Sequence, residues 1–79
     1  MEWIEIQVEC YEGYRSRETP RRLIMDNAVI EIIDILDRWY EGGKRGGTVV
    51  LNYFKVKGGD GKTYILRYNA LFDRWAMAK

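Results

Sequence analysis

Aromatic and cationic side chains are interleaved along residues 53–67, and this pattern could support binding chemistry. Proteins that hold single-stranded nucleic acid use lysine and arginine to follow the phosphates and aromatic rings to stack on the bases. The residues that would do so here, if one sheet face presents them together, are Tyr53, Lys55, Lys57, Lys62 and Arg67. Lysines at such positions are equally typical of a solvated face that resists aggregation. The pattern therefore allows nucleic-acid binding through this face, with a solvated, non-binding face as the alternative.

A second group of aromatic residues, Trp39, Tyr40 and Trp75, lies outside that run. In a small β domain such rings ordinarily fill the core. Any two that are exposed together would instead indicate a surface for a protein partner or for self-association.

Several kinds of catalytic and metal site are excluded by composition. The chain has no histidine, Cys10 is its one cysteine and Ser16 its one serine. A His/Cys zinc site, a Cys–His nucleophile and a Ser-His-Asp triad therefore cannot be built. Glu5 and Glu9 would share a strand face, but four residues of strand separate their carboxylates too widely for one ion. We predict no catalytic residue, no metal and no cofactor.

Length and composition indicate one small domain spanning residues 1–79. Apolar residues make up 47% of the chain and charged residues 32%, which is typical of a globular protein. No apolar run approaches the roughly 20 residues of a membrane span, and the start resembles no signal peptide. A lone cysteine favours a reducing cytoplasm. We expect a cytoplasmic protein, either a monomer or a weak homodimer.

Charge is distributed unevenly along the chain. Residues 1–41 hold ten acidic and five basic side chains, whereas residues 42–79 hold two acidic and eight basic ones. Such asymmetry indicates either an anionic partner for the basic half or acidic strands that pair with basic strands in one sheet.

A β-hairpin is predicted around the glycine-rich turn at residues 59–61. An even loop would mix apolar and polar residues on both faces. An odd, three-residue loop closed by a left-handed glycine places Phe54 and Val56 on the same face as Tyr64 and Leu66. The odd loop is preferred because it also collects Tyr53 and the cationic residues on the opposite, outer face.

Other strands follow from alternation and turn chemistry. Residues 3–11, 21–25 and 73–78 alternate, and Asp26-Asn27 is a plausible two-residue turn that sets Arg22 opposite Glu31. The inward positions would be Ile4, Ile6, Val8, Cys10, Leu23, Met25, Trp75 and Met77. Residues 12–19 and 42–47 are predicted loops. For residues 28–41 the pattern leaves two alternatives open, since a helical apolar stripe competes with β-branched isoleucines.

The chain resembles a family of small bacterial cytoplasmic proteins that form a domain of unknown function. That family is distantly similar to a tail module of bacterial Y-family-polymerase-like mutagenesis proteins. The resemblance covers residues 11–77 and is carried by Gly13-Tyr14, Pro20-Arg21-Arg22-Leu23, residues 35–40, Tyr53-Phe54-Lys55-Val56, Asp60-Gly61, residues 64–67 and Asp73-Arg74-Trp75. It implies that residues 28–41 form a strand with a bulge near Ile32-Ile33. It implies no substrate, cofactor or reaction.

We therefore predict an all-β fold, a small antiparallel meander of five or six strands curled into an open barrel. The second possibility is an α+β fold with a helix over residues 28–40. For function we expect a non-enzymatic binding module that contacts single-stranded nucleic acid through its basic face. The alternative is a protein–protein adaptor or self-associating module that uses exposed tryptophan and tyrosine.

Overall fold

The computed structural model describes residues 2–10, 19–42 and 51–79, and all regular structure within them is β-sheet. Six strands follow one another: β1 (Trp3–Cys10), β2 (Pro20–Met25), β3 (Ala28–Glu41), β4 (Leu51–Gly58), β5 (Thr63–Asn69) and β6 (Arg74–Ala78). The all-β prediction is confirmed, and residues 28–41 are a strand. The predicted loops at residues 12–18 and 43–47, and the predicted start of β4 at residues 48–50, lie outside the described residues.

The strands form a closed barrel in the order β1 to β6, with every neighbouring pair antiparallel. The barrel is closed, whereas an open one was predicted, and every strand pairs with two neighbours. Two strands, β1 and β3, divide their length between those neighbours. Residues 3–6 of β1 pair with β6, whereas residues 7–10 pair with β2. In β3, residues 28–31 pair with β2, and residues 32–41 pair with β4.

The β4–β5 hairpin has the predicted register. Phe54 lies opposite Leu66, and Val56 lies opposite Tyr64. The Gly61 N–H donates to the Gly58 carbonyl at 3.0 Å, and Gly61 has a φ of 85°. A glycine accepts this left-handed conformation without a steric penalty, and it closes the odd loop.

The β2–β3 turn is also as predicted. Asp26 has a positive φ of 50°, and Arg22 lies opposite Glu31 in the ladder. The Arg22 guanidinium lies 3.3 Å from Glu31 and 3.2 Å from Glu9, so it links the three strands of this part of the barrel.

Two irregularities in β3 explain why its sequence also suggested a helix. The register with β4 shifts between Ile32 and Asp34 and again between Ile35 and Asp37. Each shift adds a residue to β3, so inward positions fall at Ile30, Ile32 and Ile35 instead of at every second residue. The resulting mixture of two- and three-residue steps imitates helical spacing. The first shift lies where the family resemblance implied a bulge.

The core lies inside the barrel. Five strands supply its buried residues, and β3 adds half-buried side chains that pack against them. The buried members of the core are Ile6, Leu23, Phe54, Val56, Leu66, Tyr68, Trp75 and Met77. Trp75 and Met77 were predicted to point inward and do so. Ile4, also predicted to be inward, lies opposite the inward residue Met77 but is 38% exposed. The described segments include no helix with the length and apolar character needed to cross a membrane.

Candidate functional site

The surface of β3, β4, β5, β6 and β1 that is turned away from the core is called the outer face here. Strand pairing places five residues in one row across it: Trp39, Tyr53, Arg67, Ala76 and Glu5, in that order. The row brings together Tyr53 and Arg67, which were predicted for nucleic-acid binding, and Trp39, which was predicted for a protein contact.

Tyr53 is on the outer face as predicted, but its ring is not open to solvent, which was the condition that would have favoured base stacking on it. Its exposed fraction is 9%. The Trp39 ring stacks on Tyr53 with 5.4 Å between centroids, and the Trp3 ring lies tilted at 5.9 Å. The two tryptophans belong to β3 and β1. The sequence of the β4–β5 hairpin does not indicate where those two strands lie relative to β4. A base therefore cannot stack on Tyr53 without displacing one of them.

The hydroxyl group of Tyr53 is fixed as well as its ring. It donates a hydrogen bond to Glu41 Oε1 at 2.6 Å. Burial raises the pKa of Tyr53 above its usual value, the bond to Glu41 raises this pKa further, and Arg67 acts in the opposite direction. The phenol is therefore neutral at physiological pH. We interpret Tyr53 as a residue that stabilises the outer face and does not bind a ligand.

The outer face is not a basic surface, because β3 contributes acids beside the lysines of β4. Lys55 lies opposite Asp37, and Lys57 lies opposite Asp34. Both lysines are exposed, as predicted. This arrangement matches the alternative in which acidic and basic strands pair and offset one another.

Lys62 lies exposed at the tip of the hairpin, apart from the row. Its backbone N–H donates to Asp60 Oδ1 at 3.0 Å. The Tyr64 hydroxyl donates to the other oxygen of Asp60, and chiefly for that reason the pKa of Asp60 lies below its usual value. The acid is therefore ionised beside Lys62 at neutral pH, which weakens the tip as a site for phosphate.

Trp39, Tyr40 and Trp75, the residues considered for a partner surface, do not lie together as one exposed patch. Trp75 is in the core, with its ring 4.8 Å from Tyr68 and 5.6 Å from Phe54. The exposed fractions of Trp39 and Tyr40 are 38% and 71%. Because successive residues of a strand point to opposite faces, these two rings do not share one. Trp75 offers no surface to a partner.

Instead, β3 exposes a series of apolar side chains along residues 33–40. Ile33 is 62% exposed and Leu36 is 46% exposed, and each lies at one of the two register shifts. With Trp39 and Tyr40 they give β3 four large exposed apolar residues between positions 33 and 40. Sequence reasoning missed Ile33 and Leu36. Each follows another apolar residue in the sequence, and two adjacent apolar residues on a strand indicate either that both faces are apolar or that the strand has a bulge there.

Three other outer-face residues were also missed: Trp3, Glu41 and Arg74. The sequence did hold one indication for Trp3: the outward positions of β6 are the small residues Ala76 and Ala78, which leave room for a large ring from a neighbouring strand. Trp3 pairs with Ala78, and its ring lies 4.4 Å from the Arg67 guanidinium. Small residues on β6 leave space for the indole to reach β5 and β4.

Metal and thiol chemistry find little support in the described segments. Within them, no three or more side chains of the metal-binding types cluster so that they could hold an ion. Glu5 pairs with Arg74 at 2.8 Å, and Glu9 pairs with Arg22. Burial raises the pKa of the half-buried Cys10 thiol, and nearby Asp73 adds to the effect. A raised thiol pKa lowers the thiolate fraction and hence reactivity.

Comparison of the chain with protein-family models, with curated proteins and with solved structures gives no match.

Proposed function

We propose that this chain is a non-enzymatic binding module that contacts another protein through residues 33–40 of β3. The observation that carries the proposal is the exposure of Ile33, Leu36, Trp39 and Tyr40 on one strand. A single exposed apolar side chain is unremarkable, but several of them on one strand, on either of its faces, are an unusual amount of apolar surface, and larger exposed apolar surfaces are typical of protein–protein contact sites. Aromatic residues of this kind also supply much of the binding energy where interfaces have been dissected.

The pairing of β3 gives this proposal further support. Within the described residues, β2 pairs with β3 only over residues 28–31, and no strand is paired to the same edge of residues 32–41. Such an edge can accept an extended segment through backbone hydrogen bonds. The two register shifts, together with Asp34 and Asp37, are features that restrict indiscriminate pairing of edges. A partner would thus need side chains that complement this irregular strand.

The proposed setting is the cytoplasm, supported by the single cysteine and by the resemblance to cytoplasmic proteins. The partner is either another protein or a second copy of this chain.

A site-specific photo-crosslinker tests the contact. Placed at Tyr40, it should give a discrete protein adduct in cells, whereas the same group at exposed Lys62 on the hairpin tip should not. Sedimentation of the purified chain then separates self-association from a different partner. Equal crosslinking at both positions, or none at Tyr40, would count against β3 as the contact strand.

Single-stranded nucleic acid is the second candidate, and one observation favours it. Trp39, in place of Tyr53, presents an exposed indole on the same face as Lys55 and Arg67. Binding to mixed single-stranded DNA and RNA should then weaken steeply with salt as counterions are released. Trp39→Ala should cost about 1–3 kcal/mol of binding free energy through lost stacking.

A paired variant separates the two candidates. Lys55→Glu with Lys57→Glu should abolish nucleic-acid binding while the fold is kept, because both side chains are exposed. The same double variant should leave a Tyr40 protein crosslink in place. Absence of any binding to single strands at low salt would remove the second candidate.

A further inference from the structure

A recess lies on the outer face above Ala76, and nothing in the proposed β3 contact uses it. Its volume is about 280 Å³. Ala76 sits between Glu5 of β1 and Arg67 of β5 in the cross-strand row, so its small side chain leaves a gap where its neighbours have long ones. Trp3, Asn69 and Arg74 complete the polar and aromatic walls.

We propose that this recess binds a carboxylate group, with Arg67 as the principal ligand and with Arg74 and Asn69 as further donors. This inference goes beyond the protein contact on β3 and does not depend on it. The three donors come from two adjacent strands and share the outer face, because Asn69 lies opposite Arg74 and Arg67 lies opposite Ala76.

Arg67 is held in position before any ligand arrives. Its guanidinium carbon lies 4.4 Å from the centre of the Trp3 ring, a cation–π contact that limits the side chain without neutralising its charge. A guanidinium carries five N–H donors in a planar fork, which matches the two oxygens of a carboxylate.

Asn69 is oriented by its neighbours. Its Oδ1 accepts hydrogen bonds from the backbone N–H groups of Leu71 at 3.0 Å and Phe72 at 3.3 Å. With the oxygen directed at that turn, the NH₂ group faces away from it and has no partner among residues 2–10, 19–42 and 51–79. Asn69 lines the recess, so these N–H donors are available to an acceptor there.

The charges of the recess favour a single carboxylate over a polyanion. Arg74 is paired with Glu5 at 2.8 Å, which leaves Arg67 as the cation in excess. A phosphodiester chain would bring further negative charges towards Glu5, and towards Glu41 beyond Tyr53. An isolated carboxylate brings a single negative charge to the guanidinium fork, so it meets less of that repulsion than a chain of phosphates does, and the Glu5 charge is itself offset by Arg74.

The carboxylate could belong to a small molecule or to a peptide, and the experiment separates the two. The Nε–H signals of Arg67 and Arg74 and the indole signal of Trp3 are followed by two-dimensional NMR during titration with acetate. A second titration uses a short peptide that contains one glutamate, with both termini blocked. Saturable shifts of these signals are expected, with a dissociation constant on the order of millimolar for acetate. Tighter binding of the peptide would identify a protein source, whereas equal or weaker binding would identify a small molecule.

Two variants and a matched control locate the site. Arg67→Gln should weaken acetate binding by roughly tenfold or more, because a charged hydrogen-bonding partner is lost. Ala76→Val should also weaken it by filling the floor of the recess, and valine is well accepted in a strand. Lys57→Gln removes an exposed cation elsewhere on the same face and should change nothing.

Three results would overturn the proposal. One is the absence of saturable shifts in the folded protein. Another is unchanged binding in Ala76→Val, which remains informative even if Arg67→Gln fails to fold. The third is tighter binding of inorganic phosphate or of a dinucleotide than of acetate, which would assign the recess to phosphate chemistry instead.

Discussion

The indole ring of Trp39 lies parallel to the phenol ring of Tyr53, with 5° between their planes and 5.4 Å between their centroids. The two residues face each other across β3 and β4 on the outside of the barrel. Tyr53 is consequently buried although it points away from the core. The outer face therefore has a small aromatic cluster of its own, formed by Trp3, Tyr53 and Trp39.

We predict that Trp39→Ala lowers the free energy of unfolding by about 1–2 kcal/mol, since the variant loses a stacked aromatic pair and uncovers Tyr53. Tyr40→Ala, next along the strand and largely exposed, should change it by less than about 0.5 kcal/mol. Urea denaturation of both variants provides the measurement. Equal losses would mean that the stack contributes nothing to stability.

Stability should decrease at alkaline pH through Tyr53. Its pKa in the folded state is raised above the ordinary value of 10.0, so the folded protein retains a proton that the unfolded chain releases. The contribution is therefore complete below pH 10 and is lost as pH rises through the folded-state pKa. Tyr53→Phe should show a smaller decrease across this range in urea denaturation followed by circular dichroism. An identical decrease in both proteins would assign the effect elsewhere, for instance to Tyr64, whose pKa is also raised, chiefly by Asp60.

Gly58 should not tolerate a side chain. A Cβ atom at this position would lie 2.7 Å from Asp60 Oδ1 and 2.8 Å from Ile30 Cγ2. Gly58→Ala should therefore cost about 1–3 kcal/mol, as overpacking in close-packed regions typically does. Gly42→Ala is the matched control, because a Cβ there meets nothing within 4 Å. Thermal denaturation that showed no difference between the two variants would contradict the close packing at Gly58.

The hairpin register makes a further prediction about neighbouring residues of β4. Phe54→Ala should cost about 3–5 kcal/mol, because a fully buried aromatic side chain is deleted from the core. Lys55→Ala, on the opposite face and exposed, should remain within about 0.5 kcal/mol of the native protein. Comparable costs in chemical denaturation would be incompatible with this register.

The hairpin was predictable because its determinants are local. Gly61 fixes the turn, the odd loop fixes the register, and the register fixes the faces of Phe54 and Tyr53. Residues 28–41 were ambiguous for an equally physical reason: two bulges disturb the alternation that identifies a strand. The resemblance to a family tipped that choice, whereas the residues alone could not.

The environment of Tyr53 could not be predicted in the same way. Its burial depends on Trp3 and Trp39, which lie on strands distant in sequence and are brought beside it only when the barrel closes. The same holds for Lys55 and Lys57, whose charges were visible in the sequence but whose acidic neighbours on β3 depend on strand order. The local sequence pattern therefore predicted on which face of the sheet each of these residues lies. It could not predict which side chains from other strands lie beside them.

The division of β1 and β3 between two neighbours each has a consequence for how the barrel opens. Strand β2 is held by residues 7–10 of β1 and residues 28–31 of β3, while β4, β5 and β6 remain bonded to the other halves of those strands. Local opening can thus detach β2 and expose Leu23 while the pairings of β3 with β4 and of β1 with β6 stay formed. Backbone amides of β2 should accordingly exchange with deuterium sooner than those of β4 and β5. In this respect the molecule behaves as a five-stranded sheet with one strand, β2, that can open independently.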